Sequence, residues 1–80
     1  MNYDQARIEE AVLALLAVFS FDDGRAWKGF DFDVMDNLHA RGLISDPKGK
    51  SKSVFLSPEG LERGRKEAER LFCGASAGTI

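Results

Sequence analysis

The stretch that decides the fold runs from residue 38 to residue 61 and reads LHARGLISDPKGKSKSVFLSPEGL. Gly42 follows an amphipathic segment, where it is placed to end a helix in a left-handed conformation. Two short apolar runs, 43–45 and 52–56, flank a turn that contains Pro47 and Gly49. This pattern is typical of an antiparallel hairpin. The middle of the chain therefore predicts a helix that leads into a two-stranded antiparallel wing.

A further helix follows the hairpin. Ser57 is a good N-cap. Pro58 fits the first helical position, because a backbone N–H at that position would have no acceptor within the helix. We expect this helix to run to about Phe72 and to place Gly64 on its apolar side. A glycine there lowers helix stability by about 1 kcal/mol relative to alanine, but it permits close approach of another backbone.

Working outward towards the N-terminus, the periodicity predicts a helix over 3–18, a loop over 20–29 and a second helix. Asp31 is the expected N-cap of that second helix, which ends near Arg41. The predicted fold is mainly α with a small β-hairpin (α+β): three helices plus the wing. We expect one domain over 1–72 and a flexible tail over 73–80.

The apolar residues of these elements give a predicted core. The residues that we expect to be largely buried are Trp27, Phe30, Leu38, Leu43, Val54, Leu56 and Leu61.

The first helix is apolar on more than one side. Its main apolar face is expected to comprise Ile8, Ala11, Val12, Leu15, Leu16 and Phe19. The back of the helix adds Leu13, Ala14 and Ala17. Either the chain covers this back itself, or a second subunit does, because a chain of 80 residues has little material to cover a helix all round. The predicted dimer contact is therefore Leu13, Ala14, Ala17, Gly64, Leu71 and Phe72.

Composition excludes several classes of protein. The chain is 44% hydrophobic and 30% charged, as is usual for soluble globular domains. Its longest uncharged run, 11–21, is shorter than the roughly 20 apolar residues of a membrane-spanning helix. No basic leader precedes it, so we expect a cytoplasmic protein without a membrane contact. A single cysteine, Cys73, cannot form a disulfide within the chain.

No catalytic pattern emerges. The acidic residues 22, 23, 31, 33 and 36 occupy positions where caps, turns and solvated helix faces use aspartate. The run Gly49-Lys50-Ser51 lacks the earlier glycine of a phosphate-binding loop and leads into a strand. One cysteine and one histidine cannot build a structural zinc site. We therefore expect no enzyme activity, no cofactor and no metal.

The charge is unevenly distributed. Residues 1–46 hold four bases and nine acids, a net charge of −5, whereas residues 47–80 hold seven bases and four acids, a net charge of +3. Lys48, Lys50 and Lys52 alternate along the wing. They could contact phosphates, as in a DNA-binding protein. Alternatively they keep an exposed hairpin tip soluble and prevent edge-to-edge pairing.

Two resemblances bear on these expectations. The segments Gly42-Leu43-Ile44 and 56–60 (LSPEG) resemble the wing of winged helix-turn-helix repressors of the multiple-antibiotic-resistance type. Over nearly all of 1–72 the chain is similar to a family of small bacterial proteins of unknown function, through RAWKGFDFDVMDNLHARGLISDP (25–47) and KSVFLSPEGL (52–61). The resemblance implies a winged-helix-like fold, and the second family supplies no activity.

One departure from the repressor pattern affects function. The segment 20–30 is too short and too glycine-interrupted to hold the helix that precedes the recognition helix in those repressors. In addition, the outward face of the second helix carries Asp33 and Asp36, which would repel a polyanion, and Arg41 does not compensate for them. We take these three residues as a candidate interaction face.

The sequence favours a protein-interaction module, either a homodimer or a partner of another protein. A DNA-binding regulator that uses the basic wing is the alternative.

Overall fold

A computed structural model describes residues 2–73 of the chain. The elements in chain order are α1 (Gln5–Val18), β1 (Arg25–Trp27), α2 (Phe32–Ala40), β2 (Ser53–Phe55) and α3 (Pro58–Ala68). A π-helical turn, Glu69–Cys73, continues α3. The predicted fold class is confirmed: three helices and one two-stranded antiparallel sheet. The predicted tail, 73–80, lies outside the described residues apart from Cys73.

Local signals set the helix ends. Asp31 caps α2 by accepting a hydrogen bond from the backbone N–H of Val34 at 3.2 Å. Ser57 caps α3 in the same way through the N–H of Gly60 at 2.9 Å. Gly42 has φ +76°, the left-handed conformation expected of a residue that ends a helix. These predictions are confirmed because each depends only on residues within one turn of chain.

The partner strand of β2 differs from the prediction. β2 pairs with β1, which lies in the segment that was expected to be a loop, with Ala26 opposite Val54. The expected partner, 43–45, contributes a single bridge between Ile44 and Leu56. The two hydrogen bonds of this bridge run from the N–H of Ser45 to the carbonyl of Phe55 and from the N–H of Ser57 to the carbonyl of Leu43. The ladder extends no further because the N–H of Phe55 donates to the side-chain hydroxyl of Ser45 at 2.9 Å, and the N–H of Leu43 closes the end of α2 on Leu38.

The core is entirely aliphatic. Its largest fully buried side chains come from α1, α2, β2 and the segment after α2: Leu13, Leu16, Met35, Leu38, Leu43 and Val54. Leu38, Leu43, Val54 and Leu56 are buried as predicted, and Leu61 packs against the core while partly buried. Trp27 and Phe30 are exposed, so those two predictions are wrong.

The orientation of α1 was predicted only in part: Leu16 is buried, and Ile8 and Val12 pack against the core as expected. Leu13, Ala14 and Ala17 are buried in the contact between α1 and α3 of the same chain, whereas Phe19 is exposed. The cause is Gly64 in α3: without a side chain there, α3 lies close to the side of α1 that carries the small residues. The predicted back of α1 is therefore part of the core.

Candidate functional site

The aromatic residues are all on the surface. The chain has six phenylalanines, one tyrosine and one tryptophan, and each of the eight is exposed. Aromatic side chains normally supply much of the apolar area that a small core buries, and on surfaces they are concentrated at interfaces. An aliphatic core with every aromatic residue outside it therefore points to surfaces that contact something else.

One apolar part of this surface lies along the outer side of α1. We call it the apolar face and define it by Leu15, Val18, Phe19, Phe30 and Phe72. It contains two cavities. One, of about 220 Å³, is lined by Leu15, Leu16, Phe19, Ala26, Trp27 and Phe30. The other, of about 380 Å³, is lined by Leu15, Val18, Phe19, Ala68, Phe72 and Cys73.

Phe19 separates the two cavities. It is the C-cap residue of α1, its side chain lines both cavities, and it is 70% exposed. No charged residue lines either cavity. The face therefore combines a projecting aromatic ring with two adjacent depressions and offers neither an ion pair nor a metal ligand of the carboxylate type.

The predicted dimer contact is divided by the structure. Leu13, Ala14, Ala17 and Gly64 are buried within the chain, so they are not on its surface. Leu71 and Phe72, in the π-helical turn, are exposed. Phe72 belongs to the apolar face, so it is the one residue of the predicted set that lies there.

The three lysines of the predicted wing are exposed, and we call the loop that carries them, residues 46–52, the basic wing. Lys28, which the sequence does not mark as part of this loop, holds its shape. Lys48, Lys50 and Lys52 lie on the surface of the loop that leads into β2. The ammonium of Lys28 donates to the carbonyl oxygens of Pro47 at 2.5 Å and Gly49 at 2.7 Å. The only sequence signal for this contact is a lysine directly after β1. Its position does not indicate that the side chain reaches the loop at Pro47 and Gly49.

The predicted acidic face is not a single surface. Asp33 is exposed in the first turn of α2, and Asp36 is partly buried. The Arg41 guanidinium turns towards α1, where it contacts Glu9 at 3.2 Å and Glu10 at 2.9 Å. Arg41 therefore joins two helices and does not extend a face with the two aspartates.

Those contacts form a charged network between the three helices. Glu9 is buried and accepts a further hydrogen bond from Asn37 at 2.9 Å. Glu10 also binds Arg63 of α3 at 2.9 Å. Burial raises the pKa of Glu10, but hydrogen bonds from Arg63 and Arg41 and their positive charges outweigh it, and the pKa lies below its ordinary value. The same contact raises the pKa of Arg63.

Two classes of site are not found in the part of the chain that the structure describes. Within residues 2–73, no group of three or more histidine, cysteine, aspartate or glutamate side chains is positioned to hold a metal ion. None of the helices in this range has both the length and the apolar character that crossing a membrane requires.

Comparison with known proteins agrees with the second resemblance noted in the sequence. The chain is 50% identical over 72 residues to the uncharacterized protein y4hR of Sinorhizobium fredii (strain NBRC 101917 / NGR234), which covers 90% of this chain and 97% of that protein. No solved structure matches the chain. The likeness to repressors of the multiple-antibiotic-resistance type stays a prediction. A family model described as a domain of unknown function, DUF6429, matches residues 4–74, and the chain belongs to that family.

Proposed function

We propose that this chain is a non-catalytic, cytoplasmic protein-interaction module that binds a second copy of itself through the apolar face. The observation that carries the proposal is the position of Phe19, a largely exposed ring between two uncharged cavities. An exposed aromatic anchor next to a depression of its own size is the arrangement that dominates the energy of many interfaces.

Self-association is favoured because the projection and the cavities belong to one surface. In a twofold dimer the same patch is used by both copies, so it must be complementary to itself. Phe19 of one copy can enter a cavity of the other while the reciprocal contact forms. The absence of charged residues from the cavity walls means that two identical faces meet without repulsion.

The available area is sufficient for a specific dimer. The exposed fractions are 70% for Phe19, 62% for Trp27, 52% for Phe72 and 38% for Phe30, a little more than two fully exposed aromatic side chains. At about 150–250 Å² for each aromatic side chain, these four offer roughly 300–550 Å² per copy. With Val18 and the cavity walls, a dimer would bury on the order of 1,000 Å² in total, near the lower limit of specific interfaces.

The test is the mass in solution of the wild type and of Phe19→Glu, measured by sedimentation at high micromolar concentration. We expect a dimer of the 8.8 kDa chain for the wild type and a folded monomer for the variant. Phe32→Glu is the matched control, because Phe32 is exposed but lines neither cavity. A monomeric wild type, or a dimer that survives Phe19→Glu, would overturn the proposal. A larger mixed species with another protein would point to a heterologous partner instead.

A second candidate function is DNA binding by the basic wing, as in a transcriptional regulator. Lys48, Lys50 and Lys52 are exposed, and within residues 2–73 none lies at ion-pair distance from a carboxylate. The protein should then retard the electrophoretic migration of duplex DNA of random sequence at low salt and release it as the salt concentration rises. The double substitution Asp33→Asn and Asp36→Asn should strengthen that non-specific binding if the two acidic residues oppose it. If retardation is unchanged when all three lysines are replaced with glutamine, the wing is excluded as the surface that contacts DNA.

A further inference from the structure

The outer side of the sheet carries a second group of exposed aromatic residues. Ala26 and Val54 face the core, so the alternation of side chains places Trp27 and Phe55 on the opposite, outer side. Arg25 lies opposite Phe55, and Ser53 lies opposite Trp27. Trp27 and Phe55 are therefore diagonal neighbours, about 7–8 Å apart along the sheet surface. We call Arg25, Trp27, Ser53 and Phe55 the sheet platform.

Arg25 lies on the platform without an anionic partner. Its guanidinium carbon is 5.0 Å from the centre of the Phe55 ring, and its Nε atom is buried without a hydrogen-bond acceptor. Within residues 2–73 it forms no ion pair, in contrast to Arg41 and Arg63, which both contact Glu10. A guanidinium that stacks on an exposed ring keeps its remaining donors for a phosphate or a base edge.

One end of the platform is strongly basic. Lys28 follows Trp27, and Lys52 precedes Ser53; the N–H of Lys28 donates to the carbonyl of Lys52 at 3.1 Å, so the two strands continue to pair there. The loop that carries Lys48 and Lys50 begins beyond this point. Because Lys28 also binds two carbonyl groups of the loop, the loop is ordered before any ligand arrives, which reduces the entropy that binding costs.

We propose that the sheet platform and the basic wing together bind single-stranded nucleic acid. Every base has an apolar face that stacks on an aromatic ring, while lysines that follow the backbone neutralise its phosphates. Trp27 and Phe55 supply two stacking positions, and Lys48, Lys50 and Lys52 supply the charge. A duplex keeps its bases stacked inside and cannot use the platform. Trp27 also lines one cavity of the apolar face, so a dimer that buries this ring would compete with stacking on it. The inference extends the second candidate function by naming the strand state of the ligand.

Trp27 is the only tryptophan, so its fluorescence reports directly on stacking. The probes are 12-mers of deoxythymidylate and of uridylate, with a 12-base-pair DNA duplex for comparison. We expect saturable quenching by both single strands and weaker binding of the duplex. Phe55→Ala should weaken single-strand binding about fivefold or more, the effect of losing one stacked base. Phe32→Ala, which removes a similarly exposed ring from α2, should leave it unchanged.

Salt dependence tests the basic part of the site separately. Replacing Lys48, Lys50 and Lys52 with glutamine should reduce the slope of log affinity against log salt by about 2, as expected for three phosphate contacts to a single strand. Replacing Arg7, Arg65 and Lys66, which are exposed elsewhere, should not change it. Phe19→Glu should bind at least as tightly as the wild type, because a monomer leaves Trp27 exposed for stacking. Absence of quenching at low salt, or duplex binding that is at least as tight and insensitive to Phe55→Ala, would overturn the proposal.

Discussion

Gly64 of α3 lies directly against the backbone of Leu13 in α1: a Cβ atom at position 64 would lie 2.8 Å from the Leu13 carbonyl oxygen and 2.8 Å from the Ala17 Cβ. This close approach determines which side of α1 is buried in the chain. Because α3 covers Leu13 and Ala17, the bulkier side with Leu15 and Phe19 stays open. The apolar face is thus a consequence of one glycine.

The first prediction is that Gly64→Ala lowers the free energy of unfolding by about 1–3 kcal/mol, because the added methyl group forces the two helices apart. The sign of this change is informative, because alanine is favoured over glycine in an isolated helix by about 1 kcal/mol. Helix propensity alone would therefore make Gly64→Ala more stable than the wild type. Urea unfolding followed by circular dichroism measures the change. Gly49→Ala is the control, because a Cβ atom at Gly49 meets nothing within 4 Å. The free energy of unfolding of this variant should be close to that of the wild type. A stabilised Gly64→Ala would contradict the close contact.

Features that depend on a few neighbouring residues were predictable from the sequence. Asp31 and Ser57 cap their helices, Gly42 takes a left-handed conformation, and Gly64 permits a close approach as expected. What the sequence could not tell was whose backbone approaches Gly64. It also gave no strong sign of β1, because a three-residue strand with only Ala26 facing the core has almost no alternation to detect.

The candidate sites were less predictable than the fold. Trp27 and Phe30 were assigned to the core because large apolar side chains are usually buried. That rule identifies side chains that are unfavourable in water. It does not say whether the chain itself or another molecule covers them. The lysines of the wing were found because charge and spacing are visible in sequence, whereas the contact of Lys28 with the wing spans about twenty residues of chain.

The second prediction concerns the tight turn before β1. Asp22 and Asp23 have φ values of +47° and +62°, in the left-handed region that most L-residues avoid. Aspartate is tolerated there, but a β-branched residue is not, so Asp23→Val should lower stability by about 1–2 kcal/mol. Asp23→Asn should be nearly neutral, since asparagine accepts the same conformation. Thermal unfolding of the two variants gives the comparison. Equal stability of Asp23→Val and Asp23→Asn would show that the turn does not impose this conformation.

The third prediction follows from the pairing of Glu10 with Arg63 and Arg41. Burial raises the pKa of Glu10, but the two arginines lower it further than burial raises it, so the folded protein holds this proton less tightly than the unfolded chain does. The stabilisation is therefore present above the ordinary value of 4.5 and is lost as the pH falls through the lower pKa of the folded state. The free energy of unfolding should decrease on acidification from about pH 5 downward.

Glu10→Gln isolates this contribution from that of the other carboxylates. At neutral pH it should lower the free energy of unfolding by about 1 kcal/mol, a modest value because Arg63 is half exposed and solvent screens the pair. The difference between wild type and variant should shrink as the pH falls. Glu62→Gln is the matched control: Glu62 pairs with Lys66 on the exposed side of α3, where little stability is expected. A wild-type-to-variant difference that stays constant from pH 7 to pH 3 would mean that ionised Glu10 does not hold the three helices together.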